Sequence, residues 1–142
     1  MAVTAFMYAE GVVNAYDGNI DFSSSTIKVA LLDSNYTPDQ DTHATWAAIS
    51  GDEVAGAGYT AGGDTLTSKT NANTANVIKL DAADVTWSAS TITAAYAVIY
   101  DSVSGYLISY VDFGGDQTSS NGDFKITWSA SGIVEITCTD AT

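Results

Sequence analysis

TITAAYAVIYDSVSGYLISYVDFGG, residues 91–115, decides the fold. Two apolar runs, 94–100 and 106–113, are rich in Tyr, Val and Ile, which suit a pleated, half-buried surface. Between them stands Asp101-Ser102-Val103-Ser104-Gly105, a connector of hairpin length and chemistry. In the second run Tyr106, Ile108, Tyr110 and Asp112 fall on one face, with Leu107, Ser109, Val111 and Phe113 on the other. Neither face is cleanly polar, so both are expected to be covered, as at the centre of a sandwich.

Outward from this hairpin the chain reads as further short strands. TIKVALL, residues 26–32, alternates Ile27, Val29 and Leu31 on one face, while Lys28 opens the other. Strands are expected at 65–70, 76–80, 85–87, 124–128 and 132–139, with 71–75 as a connector and 114–122 as a polar loop. Residues 1–22 fit neither the helical nor the alternating template and read as a packed arm or short helix ending in the turn Asp17-Gly18-Asn19. Residues 33–63 carry turn chemistry, with one helical turn at 45–49 and a Gly/Ala-rich loop, VAGAGYTAGG, at 54–63. The prediction is one all-β domain over residues 1–142, an antiparallel β-sandwich, jelly-roll-like, with an irregular N-terminal arm at 1–22 and a long Gly/Ala loop.

Composition narrows the function. A chain of 142 residues is long enough for a core without disulfides, and its lone Cys138 reads as a small buried hydrophobe. No run approaches the ~20 apolar residues of a membrane helix, and no basic region or cleavage site suggests a secretory signal. Seventeen carboxylates against four lysines give a net charge of −13. Nucleic acids and anionic membranes repel such a surface, so neither is an expected partner.

Motifs for chemistry are sparse. The single His43 stands in a loop beside acids, and no serine occupies a Gly-x-Ser-x-Gly elbow, so no catalytic residue is expected. One His and one Cys do not make a zinc shell, and no phosphate-cradling loop ends in Lys, so no metal or cofactor is expected. Asp17-Gly18-Asn19-Ile20-Asp21 imitates the start of a calcium loop but continues with Phe22, where glycine is needed, and Lys28, where the bidentate Glu belongs. A turn closed by side-chain-to-backbone bonds accounts for it better. Residues 85–92 match 126–133, each read as strand, Ser-Ala-Ser turn, strand. This is either convergent hairpin chemistry or duplicated halves. Trp46, Trp87 and Trp128 are either core and interface packing or an aromatic platform for sugars.

Several stretches carry a resemblance. Gly18-Asn19-Ile20-Asp21-Phe22 with TIKVALL at 26–32, Tyr36-Thr37-Pro38-Asp39-Gln40-Asp41-Thr42-His43, residues 53–63 around Gly58-Tyr59-Thr60-Ala61-Gly62-Gly63, and Tyr110-Val111-Asp112-Phe113-Gly114 resemble small tailed-bacteriophage virion proteins. The similarity runs over residues 18–136. Acidic β proteins of this size in tailed phages are commonly capsid cement or decoration proteins, some of them jelly rolls. The resemblance thus implies a virion structural protein. The acidic charge, disfavoured beside packaged DNA, adds the expectation of the outer capsid surface, and disulfide-free folding that of assembly in the bacterial cytoplasm. There the chain is expected to bridge neighbouring major capsid proteins as a homo-oligomer, dimer or trimer. The alternative is a tail- or fibre-associated module that binds a host glycan. Contacts are expected from Phe6, Met7, Tyr8, Val12 and Val13 of the arm and from Gly56, Gly58 and Tyr59 of the loop, whose small residues permit close backbone approach. Burial of both Trp87 and Trp128 would favour the capsid reading, and their exposure on one groove the glycan reading.

Overall fold

The central hairpin is the spine of a five-stranded sheet in a computed structural model that describes residues 2–3 and 5–140. Strands β1 (Ala2–Val3) and β2 (Phe6–Met7) lead into helix α1 (Ala9–Tyr16) and then β3 (Ile27–Leu32). A single-turn helix, α2 (Trp46–Ile49), precedes β4 (Asp64–Thr65), β5 (Thr70–Thr74), β6 (Val77–Asp81) and β7 (Val85–Ser90). Strands β8 (Thr93–Asp101) and β9 (Leu107–Thr118) form the hairpin, and β10 (Gly122–Trp128) and β11 (Val134–Thr137) follow. The sheets run β2-β9-β8-β3-β4, β1-β10-β7 and β11-β6-β5, antiparallel throughout except for the β1–β10 pair. The chain is therefore an all-β sandwich. A jelly roll pairs two sheets built from eight strands; the orders here are five, three and three.

Both faces of the five-stranded sheet are covered, as its composition requires. Ile27, Val29, Leu31, Ala97 and Ile99 pack against Val85, Trp87, Phe124, Ile126 and Trp128 of the facing β1-β10-β7 sheet. Ala30, Leu32, Val98 and Tyr100 face the other way and are roofed by Tyr8, Tyr36, Trp46 and Ile49. The hairpin loop closes with Gly105, at φ +83°, donating to the Asp101 carbonyl at 2.7 Å. The buried Asp101 carboxylate also accepts from the Val103 amide at 2.9 Å.

Four expectations require correction. Leu107 and Val111 were expected on one face, yet Ile99 opposes Ser109 while Tyr100 opposes Leu107. Ile108 is thus an extra residue on β9, and this bulge turns Leu107 into the Tyr8 cluster while Val111 stays in the sandwich core. The polar loop expected at 114–122 is strand as far as Thr118. Residues 113–116 form an excursion between the pairs Tyr96–Asp112 and Ala94–Gln117, which Gly114 and Gly115 allow by positive φ. The expected strand at 65–70 and connector at 71–75 are exchanged: residues 66–69 are irregular and β5 occupies Thr70–Thr74, an exposed edge held by its pairing to β6. Finally, the two Ser-Ala-Ser copies differ. Ser88, Ala89 and Ser90 stay within β7, with Ala89 at φ +50°, whereas Ser129 and Gly132 close a true turn. The strands carrying the copies, β7 and β10, lie side by side, with Trp87 opposite Phe124.

Candidate functional site

Helix α1 is short, and tertiary packing holds it in place more than intrinsic propensity does. Its residues Gly11, Val12, Ala15 and Tyr16 continue a stripe that begins at Tyr8, spaced as i, i+3, i+4, i+7 and i+8. Gly11 is the contact point: a Cβ there would stand 2.5 Å from the Leu107 carbonyl oxygen, so only glycine lets the helix rest on the β9 backbone. The helix ends in a Schellman motif. Asn19 N–H donates to the Asn14 carbonyl at 2.9 Å and Gly18 N–H to that of Ala15 at 3.2 Å, with Gly18 at φ +78°.

Helix α1 and one face of the β11-β6-β5 sheet stand opposite each other across a gap. The space between is an apolar groove of about 410 Å³. Met7, Val12, Ala15 and Tyr16 form one wall and Ile78, Leu80, Val134 and Ile136 the other, with Ile108 and Phe22 at the base. The sheet residues recur at every second position, so one face of β6 and β11 supplies that wall. Among the described residues Asp21 is the one charged residue lining the groove, and its carboxylate accepts from the Ser23 and Ser24 amides at 3.1 and 2.9 Å. The Ser24 amide is the first of the causes that hold its pKa below the usual carboxylate range. The turn at Asp17-Gly18-Asn19 is closed by the backbone bonds of the helix end, not by the side-chain-to-backbone bonds expected there, and those of Asp21 cap the next turn, 21–25.

The expected contact residues fall into three groups. Met7 and Val12 line the groove, while Val13 (50% exposed) does not, and Phe6 (49% exposed) is tilted against Tyr110 with centroids 5.5 Å apart. Tyr8 is not available to a neighbour, being 0% exposed. Its hydroxyl donates to that of Tyr36 at 2.5 Å, and the Tyr36 hydroxyl meets His43 Nδ1 at 3.2 Å. The Asp39 N–H also points at Nδ1, at 3.3 Å, and an amide can only donate, so Nδ1 is an acceptor and Tyr36 donates to it. Burial raises the pKa of both phenols, that of Tyr36 to about 12 even though the bond from Tyr8 pulls it down. His43 is therefore part of a packing network.

Gly56, Gly58 and Tyr59 form the third group. The outer sides of both glycines are exposed, but their small size serves the chain itself: a Cβ on Gly56 would lie 2.2 Å from the Thr91 carbonyl oxygen, and one on Gly58 2.8 Å from Ser90 Cα. Tyr59 points inward, accepting from the Leu31 amide at 3.0 Å and donating to Glu53 Oε1 at 2.7 Å. Glu53 also receives the Gly62 amide at 2.6 Å. The loop is a strap across the sandwich and not an arm.

Trp87 (5% exposed) and Trp128 (7%) are both core, and Trp128 Nε1 donates to the Ala83 carbonyl at 3.1 Å. Trp46 is stacked on Tyr100 with centroids 4.8 Å apart. Cys138 is exposed, not buried as expected, because it lies just beyond the last residue of β11. Sequence reasoning missed Ala15, Tyr16, Ile78, Leu80, Val134 and Ile136 as groove residues. Their signal is present as a helical stripe and two alternating pairs, but nothing local reveals that these face one another.

No protein family, curated protein or solved structure matches the chain. Among the described residues no helix is long and apolar enough to cross a membrane.

Proposed function

We propose that this chain is a bacteriophage virion structural protein of the cement type. In this reading it binds the outer capsid surface, bridges neighbouring major capsid proteins, and carries no catalysis. The observation that carries the proposal is the open apolar groove beside α1, flanked by exposed Val13 and by Tyr16 at 89% exposure, on a chain of net charge −13. A strongly acidic surface that opens on an apolar groove suits docking to a protein and disfavours contact with packaged DNA. The resemblance of residues 18–136 to small virion proteins supports the same reading. Burial of Trp87 and Trp128 favours this reading over the glycan-binding alternative.

Mechanistically, a cement protein needs only a modest contact per copy. Burying one apolar side chain such as Val contributes about 1.5–3 kcal/mol, and a shell repeats the contact at every junction. Self-association as a dimer or trimer belongs to the same proposal and would raise the number of junctions held by each particle. The test compares heads assembled with and without this protein. The expected result is earlier DNA release on heating in the heads that lack it, and restoration when purified protein is added back. Unchanged heat resistance, or immunolabelling confined to the tail, overturns the proposal.

A further inference from the structure

We infer that the groove between α1 and the β11-β6-β5 sheet receives an apolar segment flanked by lysine or arginine, supplied by a partner protein. This deepens the coat-binding reading and rests on it for the partner's identity, while the partner's chemistry rests on the groove itself.

Size and lining set the apolar part. The volume of about 410 Å³ lies within the range of pockets that take apolar ligands, ~300–1,000 Å³. The charges around the groove set the flanks. Asp21 lines it, and Asp17 follows the groove residue Tyr16 at the end of α1, whose last turn holds no basic residue. A helix C-terminus already carries partial negative charge, so with Asp17 and Asp21 the side of the groove near Tyr16 is negative. A cation brought there by a ligand is attracted to it.

The chain has little of its own to offer in that role. Lys69 Nζ reaches toward Asp21 but is held by the Phe22 and Ser25 carbonyl oxygens and lies 5.7 Å from the Phe22 ring centroid. Lys79 and Lys125 are paired with Asp81 and Asp84, each at 3.4 Å. Lys28 is in β3, near Gly62, away from the groove. With no arginine and only these lysines, a second copy of net charge −13 lacks the complementary chemistry. The occupant is therefore a different, basic protein segment.

The probe is a fluorescent peptide, Lys-Lys-Leu-Phe-Leu-Lys-Lys, compared with Glu-Glu-Leu-Phe-Leu-Glu-Glu and with Lys-Lys-Ser-Gly-Ser-Lys-Lys, by anisotropy on the full chain. The basic apolar peptide is expected to bind at least tenfold more tightly than either control. Ala15→Trp, at an exposed position on the groove wall, is expected to weaken it at least tenfold. Val103→Ser, at an exposed apolar residue in the hairpin loop, leaves it unchanged. Thermal melts check folding, and Ile136→Asp on the opposite wall replaces Ala15→Trp if that variant does not fold. Equal binding by the acidic peptide or by the polar basic peptide overturns the inference, as does binding insensitive to both groove variants. A dimer in sedimentation that Ala15→Trp dissolves would identify a second copy as the occupant and overturn it too. Added to heads, wild type and Ala15→Trp separate the two ideas. Equal decoration by both sinks the groove's role but not the cement reading. Groove-dependent peptide binding with no decoration by wild type sinks the cement reading and leaves the inference standing.

Discussion

Two segments stood out from the strand pattern, the arm at 1–22 and the Gly/Ala loop at 54–63, and they have opposite fates. The loop is drawn inward. Gly56, Gly58 and Gly63 let its backbone press on Thr91, Ser90 and Val29, while Glu53 and Tyr59 tie it down. The arm splits: Tyr8 is buried as a roof over the central sheet, whereas the following helix leaves Val13 and Tyr16 exposed beside an open groove. Small residues signal close approach, but not whether the approaching surface belongs to the same chain. Apolar residues left exposed around a groove point to something outside it.

The sharpest way to break this contrast is at Gly63. Its φ is +77°, and a Cβ would stand 2.0 Å from the Val29 carbonyl oxygen and 2.6 Å from Ala30 Cα. Both contacts are to backbone of the central sheet, which cannot move aside cheaply. Gly63→Ala is expected to lower the unfolding free energy by about 3 kcal/mol or more in urea titrations. Gly56→Ala, with ordinary φ but a 2.2 Å approach to Thr91, should lose about 2 kcal/mol. A loop free to reach a neighbour would tolerate both, and wild-type urea midpoints for them would restore that reading.

The buried half of the arm gives the next effect. Tyr8→Phe keeps the ring and removes the hydroxyl that donates to Tyr36, leaving a buried oxygen without that partner, at a cost of about 1–2 kcal/mol. The same network makes the fold sensitive to alkali. Burial raises the phenols of Tyr8, Tyr36 and Tyr59 above their ordinary value of 10.0, so above that pH the unfolded chain gives up protons that the folded chain retains. Their stabilising contribution is complete below about pH 10 and falls as pH rises, through about 12 for Tyr36. Each such proton adds a slope of about 1.4 kcal/mol per pH unit. In Tyr8→Phe the decline of the urea midpoint between pH 10 and pH 12 should be shallower. An identical slope in the two proteins would mean that Tyr8 ionises freely in the folded state.

How much of this was legible follows from where the information lies. The strands β3, β6, β8 and β10 are written in local runs or alternation of Val, Ile, Leu and aromatic residues. The central hairpin follows from its Asp-Ser-Gly connector. Helix α1 was obscured because its stripe runs through Gly11, which does not register as apolar although it seats the helix on the β9 backbone. Strand β5, TNANT, has no apolar pattern at all; pairing to β6 makes it a strand. The Ile108 bulge is a property of the β8–β9 register and has no signature in β9 alone. The groove lay furthest from view, since its walls come from residues 7–23, 71–80, 108 and 134–136, which only the tertiary fold brings together.

The smallest effect on stability carries the most weight for function. Val13 and Tyr16 are exposed, at 50% and 89%, and no hydrogen bond engages the Tyr16 hydroxyl among the described residues. Replacing both with Ser should therefore change stability by less than about 0.5 kcal/mol. The helix persists, since Gly11 still seats it on β9 and the Asn14–Asn19 motif still closes its end. Binding should respond differently. Tyrosine is enriched among the residues that dominate protein interfaces, because a rigid ring with a polar tip buries much area at little entropic cost. If α1 is the outward-facing half of the arm, Val13→Ser with Tyr16→Ser should weaken saturation of bare heads at least tenfold, while the melting curve overlays that of wild type. The matched change on the other side of the sheet, Phe6→Ser, should leave decoration intact, because Phe6 lies with Tyr110 on the face away from the groove. Should Phe6→Ser abolish decoration and the helix variant retain it, the docking face is the aromatic cluster at Tyr110, and the roles assigned to the two faces are reversed.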